Sequence, residues 1–140
     1  MEFILSIFMM MFVIFWIWEL VMAVYTKNVL ADAAKEGVRY AIVHGQGNSN
    51  CSGPNTPACP DTTGANVISQ VQSYAQMTLH DTSAMTVTVQ YLDDAGGNAT
   101  TVDPNTRVRV EVSYVYVPYI PSLPWVAPTL NAVAEGRIVN

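Results

Sequence analysis

An apolar run at the N-terminus limits what this chain can fold into more than any other feature. Residues 3–18 are sixteen side chains of which only Ser6 is polar, and two acidic residues, Glu2 and Glu19, flank them. Apolar residues resume at positions 20–24, so one helix of about 23 residues would cross the ~30 Å hydrocarbon core of a bilayer. A charge at the centre of such a helix costs roughly 2.5–3.5 kcal/mol on insertion scales, and the two carboxylates therefore indicate functional roles.

The helical pattern continues beyond the apolar run. From Leu20 to Ile42, apolar residues recur at spacings of three and four, and polar residues occupy the opposite side. The sequence therefore predicts one helix from Glu2 to about Val43, capped by Gly45. At ~1.5 Å per residue this helix is roughly 60 Å long, a length that a membrane or fibrous assembly requires.

Two cysteines, Cys51 and Cys59, enclose a segment rich in turn-forming residues. A metal site would need further soft ligands, and His44 is the one nearby candidate, so the spacing favours a disulfide. A disulfide implies an oxidising compartment. The part of the chain after the long helix is therefore expected outside the cytoplasm.

The basic residues that follow the apolar run conflict with export. Lys27, Lys35 and Arg39 would keep this flank in the cytoplasm by the positive-inside tendency. A basic leader that preceded Met1 and was removed by processing would resolve the conflict. An uncleaved anchor that begins at Met1 is the alternative.

The remainder of the chain predicts a small head. The segment Asp61-Thr-Thr-Gly64 offers N-cap oxygens for a second helix that ends near His80 and Asp81. Alternating apolar and polar residues predict strands over 85–91 and 107–116, joined by a long loop expected to protrude. A proline-rich segment follows, and residues 130–139 favour a third strand with a bulge at Gly136, a terminal helix being the weaker alternative.

These elements predict the α+β fold class. The chain is expected to have a long N-terminal helix, and a small head with one further helix and an antiparallel sheet of about three strands. Residues 1–25 would form the transmembrane or filament-core helix, residues 26–44 its continuation into the head, and residues 45–140 the globular α+β part.

Three short motifs follow one another along the N-terminal helix. They are Glu2-Phe-Ile-Leu5, Trp18-Glu-Leu20 and Ala34-Lys-Glu-Gly-Val-Arg-Tyr-Ala41. This series resembles TadE-like proteins, the pilin-related subunits of tight-adherence secretion systems, with their V-E-F start, E-F/L step and A-A-R-E-G-A-R-Y-A block. The resemblance covers about the first 43 residues, and the chain departs from the pattern where Met1 precedes Glu2 without a leader Gly or Ala.

The resemblance implies a pilin-like subunit with a set of partners. Those partners are copies of itself in a helical filament, inner-membrane lipid before assembly, a prepilin peptidase and the pilus assembly machinery. In pilins the glutamate that corresponds to Glu2 is thought to offset the α-amino charge of an adjacent subunit. A dry helical bundle tolerates two opposite charges only as a close pair. The alternative is that Glu2 lies in the headgroup zone of the membrane, or that it stabilises the N-terminus of its own helix through the helix dipole.

Other residues of the helix are expected to contact neighbouring copies. Glu19 lies roughly 25 Å along the helix from Glu2 and would pair with a basic residue of a neighbour, such as Lys27, unless it simply lies at the far membrane interface. Trp16, with Trp18, is equally suited to an interfacial belt. The full set of predicted assembly contacts is Glu2, Phe3, Phe8, Phe12, Phe15, Trp16, Glu19 and Lys27.

The sequence offers little for catalysis or nucleic-acid binding. Residues 44–140 carry three basic and seven acidic side chains, so a basic face for nucleic acid is not expected. His44 and His80 are isolated from nucleophile motifs, and the acidic residues after Leu92 do not have EF-hand spacing. No catalytic residue, metal or cofactor is predicted, whereas Asn50 and Asn98 begin glycosylation triplets.

Two functions remain open from the sequence. The first is a filament subunit that starts in the inner membrane and ends in an extracellular or cell-surface fibre with cell-adhesion roles. The second is a membrane-anchored exported binding or sensor module, or a minor pseudopilin, that forms no homopolymer.

Overall fold

The apolar run and the amphipathic segment after it form one continuous helix in the computed structural model of the chain. The structure describes residues 2–45, 48–54, 59–79, 81–104, 106–120 and 128–139. Helix α1 (Glu2–Val43) has 42 residues and is about 63 Å long at ~1.5 Å per residue. It ends where the His44 ring stacks on Tyr40, with ring centroids 3.9 Å apart. The predicted extent of this helix is confirmed.

The rest of the chain folds as α2 (Ala65–Gln76), β1 (Met85–Leu92), β2 (Arg107–Val115) and β3 (Thr129–Arg137). The strands form one antiparallel sheet in the order β1-β2-β3. The α+β class is thus confirmed, as is the choice of a third strand over a terminal helix. Helix α2 ends before the predicted boundary, because the Met77 and Thr78 amides donate to carbonyls three residues before them and so tighten the last turn.

One face of the sheet carries the core of the head. Along β2, buried residues alternate with half-exposed ones, as the two-residue period of a strand requires. The buried face packs against the C-terminal half of α1 and against α2, which also contacts α1. On the outer face, Arg109 and Glu135 form a cross-strand ion pair at 3.5 Å. The head is therefore a two-layer arrangement in which α1 is both scaffold and core element.

A glycine on β3 lets α1 approach the sheet closely. Gly136 pairs in regular register with Val108, so the predicted bulge is wrong. A Cβ at Gly136 would lie 2.6 Å from Val38 Cγ1 and 2.7 Å from Ile42 Cδ1. The glycine serves helix packing and not a distortion of the strand.

Asp61 joins the disulfide segment to the start of α2. Its carboxylate accepts hydrogen bonds from the amides of Ala65 (2.9 Å) and Asn66 (2.8 Å) and from Ser52 Oγ at 2.6 Å. The N-cap residue itself is Gly64, which has no side chain, so Asp61 supplies the predicted oxygens from three residues before the cap. Burial alone would raise the pKa of Asp61, but the hydrogen bonds from Ser52 and from the backbone outweigh it and lower the pKa to about 2.

The loop between β1 and β2 is only partly protruding. Residues 93–98 are exposed, as predicted, but Val102 is fully buried. A Cβ at Gly53 would collide with the Val102 side chain, and Gly53 has a φ of 144°. The second half of the loop therefore folds back onto the disulfide segment, and only the first half protrudes as predicted.

The close approach at Gly136 predicts a clear stability effect. Gly136→Val should lower the free energy of unfolding by about 1–3 kcal/mol, because the added methyl groups overpack the contact with α1. Denaturant titration in detergent would measure it. Asn131→Val, exposed on the same strand, is the matched control and should be neutral; equal losses in both variants would contradict the packing argument.

The lowered pKa of Asp61 predicts loss of stability in acid. Because the folded-state pKa is depressed, this contribution is complete above pH ~4 and disappears as the pH falls from the ordinary value of 3.8 towards about 2. Allowing for solvent screening, it amounts to about 1–2 kcal/mol. Unfolding titrations between pH 2 and 7 should show this slope in the parent chain and in Asp32→Asn, but not in Asp61→Asn. A slope that survives in Asp61→Asn would refute the assignment.

Candidate assembly surface and neck

The N-terminal half of α1 projects beyond the head and exposes its side chains on all sides. Every side chain from Phe3 to Trp18 is exposed, and the large apolar ones among them are between 42% and 78% exposed. We call residues 3–18, the part of α1 that projects beyond the head, the free segment. By its length and composition, the helix is long and apolar enough to cross a membrane. An exposed apolar surface of this extent requires lipid or other protein around it.

The structure places the predicted contact residues in different environments. The aromatic ones all lie exposed on the free segment, namely Phe3, Phe8, Phe12, Phe15 and Trp16. Lys27 is exposed on α1 beyond it, whereas Glu19 is fully buried. The side chain of Glu2 lies outside the described residues. The contacts of these residues with neighbouring copies stay predictions.

Glu19 is held by the head of its own chain. Its Oε1 accepts a hydrogen bond from Tyr116 Oη at 2.7 Å and another from the Tyr119 amide at 3.0 Å. Tyr116 Oη also lies 3.5 Å from the Glu19 carbonyl oxygen. The other carboxylate atom, Oε2, is buried without a hydrogen-bond partner among the residues that the structure describes. We call Glu19, Tyr116 and Tyr119 the neck.

Tyr116 is well suited to hold a buried carboxylate. It is 1% exposed, and it follows β2 on the buried side of the strand pattern. Burial raises the pKa of Tyr116, and the hydrogen bond to Glu19 raises it further. The phenol therefore stays protonated and remains a donor throughout the physiological pH range.

A small cavity lies beside the neck. It has a volume of about 320 Å³ and is lined by Thr26, Leu79, Asp81 and Tyr114 together with the segment 116–119. Thr26 is itself buried and donates to the Met22 carbonyl at 2.9 Å within α1. The cavity thus belongs to the joint between helix and head.

Sequence reasoning missed the neck. It treated Glu19 as a contact between copies or an interface residue, because Tyr116 is 97 positions away in the chain. A signal did exist. Tyr116 continues the inward-facing alternation of β2, so its hydroxyl was bound to be buried and to need an acceptor.

The predicted disulfide is confirmed. Cys51 and Cys59 are bonded, with their Cα atoms 4.8 Å apart, so the alternative of a metal site with His44 is wrong. Asn50 and Asn98 are both exposed, but Ser52, which completes the Asn50 triplet, is fully buried. Glycosylation at either asparagine stays a prediction.

The acidic loop after β1 uses its carboxylates locally. Asp93 accepts from the Gly97 amide at 2.7 Å, and Asp94 lies 3.7 Å from Arg137 Nη2. Asp103 accepts from the Thr101 hydroxyl. Within the described part of the chain, no group of three or more His, Cys, Asp or Glu side chains is placed to hold a metal ion.

Comparison with known proteins bears on the N-terminal part of the chain. The family model described as TadE-like protein matches residues 1–39. No curated protein and no solved structure matches the chain. The match covers the free segment, the neck glutamate and most of the remainder of α1, and together with the long apolar helix it fits a Tad pilus-related subunit. Residues 1–39 of this chain are therefore similar to TadE-like proteins, and the resemblance found in the sequence is confirmed.

Proposed function

We propose that the chain is a structural pilin-like subunit that polymerises through its free segment into an extracellular type IV or Tad-like filament. The observation that carries the proposal is the exposure of every side chain from Phe3 to Trp18 on a helix whose other half is the core of the head. A bundle of such helices would place the apolar segments inside and the heads outside.

The energetics favour a shielded free segment. Burying 15 large apolar side chains at ~1.5–3 kcal/mol each contributes at most tens of kcal/mol relative to water. This advantage vanishes relative to lipid, so transfer from membrane to filament must rely on close packing, charge pairing and assembly machinery. Glu2, at the start of the apolar helix, is the group we expect to supply the charge pairing.

The location follows from the same elements. The apolar helix suggests membrane anchoring, and we propose the inner membrane as the site before assembly. The Cys51–Cys59 disulfide supports a head outside the cytoplasm, because cytosolic thiols are kept reduced. Copies of the chain, a prepilin peptidase and pilus assembly machinery are the proposed partners.

One observation favours a second candidate, a membrane-anchored exported module that forms no homopolymer. The buried carboxylate of Glu19 has its donors within the same chain, so the joint between helix and head needs no neighbouring copy. In this case lipid alone would cover the free segment. A minor pseudopilin would be a related alternative.

Cysteine cross-linking separates the two candidates. Ile14→Cys introduces a thiol on the free segment, and Thr88→Cys introduces one on the outer face of the sheet. In cells that carry the assembly machinery, mild oxidation should convert Ile14→Cys into covalent dimers, which denaturing electrophoresis detects. Thr88→Cys should stay monomeric because the heads point outward. Negative-stain electron microscopy of shed material should show filaments.

The control for chance collisions in the membrane is the same Ile14→Cys variant without the assembly machinery. Cross-links that do not depend on the machinery, with no filaments in the shed material, would contradict the filament proposal and favour the anchored module.

Glu2→Gln tests the proposed charge pairing. Filament yield should fall by at least about tenfold, because an unpaired α-amino charge in a dry bundle costs several kcal/mol. Glu111→Gln, a half-exposed carboxylate on the outer face of the sheet, is the matched control and should assemble normally. Normal filament yield with Glu2→Gln would exclude the pairing role.

A further inference from the structure

The neck contains a charged group where the surrounding helix would not be expected to hold one. Glu19 is 0% exposed, while Trp18 and Leu20 on either side of it are 59% and 54% exposed. Among the described residues, Glu19 is the only charged residue that is buried. Removing a carboxylate from solvent costs several kcal/mol unless donors compensate it. The head must therefore supply those donors at this particular turn of α1.

Both donors come from one short segment of the head. Tyr116 follows the last residue of β2, and Tyr119 lies three residues further, so both ends of segment 116–119 donate to the same oxygen of Glu19. Charge-assisted hydrogen bonds of this kind are about twice as strong as neutral ones. The backbone of Tyr116 is also held in place, because its amide donates to the Pro128 carbonyl at 3.1 Å.

We propose that Glu19, Tyr116 and Tyr119 form an intramolecular latch that holds segment 116–119 of the head against α1 and thereby sets the length of the free segment. The inference deepens the proposed function by assigning Glu19 a positioning role within one chain. It can be tested on dispersed protein, without any filament, so its failure and the failure of the filament proposal are distinguishable.

The length of the free segment makes this position important. With the latch closed, residues 3–18 project beyond the head, which is ~24 Å of helix at 1.5 Å per residue. With the latch open, the helix exposed beyond the head would extend to residue 25, would include Glu19 and would measure ~35 Å. A bilayer core is ~30 Å thick, so with the latch closed the free segment is about 6 Å shorter than the core, and the neck would lie at the boundary of the core.

The residues around the latch match such a position. Val117 and Tyr119 on the head, and Trp16 and Trp18 on the helix, are exposed near the same level of α1. Aromatic side chains of this kind are enriched at membrane interfaces. In a filament the same geometry would define how much helix each copy offers for packing. Glu19 pairing with Lys27 of a neighbouring copy would require the latch to open, because the carboxylate is fully buried.

The mobility of spin labels on detergent-dispersed monomer tests the latch. A label at Val117→Cys reports on the latch segment, and a label at Val133→Cys, on the outer face of β3, is the matched control. The natural cysteines are bonded to each other and leave the introduced thiol free to react. Each label is measured in the parent chain and in Glu19→Leu, Glu19→Gln and Tyr116→Phe.

The expected result is specific to one label. Glu19→Leu and Tyr116→Phe should remove the immobilised component of the Val117 spectrum and leave the Val133 spectrum unchanged. Glu19→Gln should keep much of it, because the amide oxygen still accepts from both donors. Amide exchange at Tyr119 should accelerate about tenfold or more in Glu19→Leu, as expected for the loss of a charge-assisted hydrogen bond.

Three results would overturn the latch. The first is an unchanged Val117 spectrum in Glu19→Leu and Tyr116→Phe. The second is an equal change at both labels, which would mean a general loss of stability. The third is loss of filaments in Glu19→Leu while the Val117 label of its monomer stays immobilised, which would assign Glu19 to a contact between copies. If Glu19→Leu does not fold, Tyr116→Phe decides, since it removes one hydroxyl only. Absent filaments with an intact latch would contradict only the filament proposal.

Discussion

The packing of the C-terminal half of α1 against the sheet is the interaction on which the rest of the structure depends. Leu30, Ala33, Ala34 and Ala41 are completely buried, and small residues on this face let the helix approach the strands closely. On the sheet, Gly136 has no side chain between β3 and α1 and so allows the same close approach. Because one helix forms both the core of the head and the free segment, the head cannot rearrange without moving the free segment.

The joint between these two halves lies at Glu19 and not where the sheet ends. Strand β2 stops at Val115, but the chain continues along α1 far enough for Tyr116 and Tyr119 to hold the carboxylate. Burying an acid at such a joint has a large desolvation free energy, whereas apolar side chains could pack there without that penalty. What a hydrogen-bonded carboxylate provides is a defined position, because only one turn of the helix offers the acceptor.

The two candidate functions differ in what covers the free segment. Lipid and sister helices are equally apolar, so the hydrophobic effect does not choose between them, and packing and charge pairing must decide. The TadE-like match over residues 1–39 covers the whole free segment and the neck glutamate. The part of the chain with a family resemblance thus includes nearly the whole exposed apolar surface of α1.

The sequence by itself determined the long helix, the three strands and the disulfide, because helical period, strand alternation and cysteine spacing are local patterns. It also predicted that the segment before α2 supplies oxygens to the first amides of that helix. Only the tertiary structure decided the partner of Glu19, the regular pairing of Gly136 and the burial of Val102. Each of these depends on residues far apart in the chain, such as the 97 positions between Glu19 and Tyr116, and no local pattern records which distant groups packing brings together.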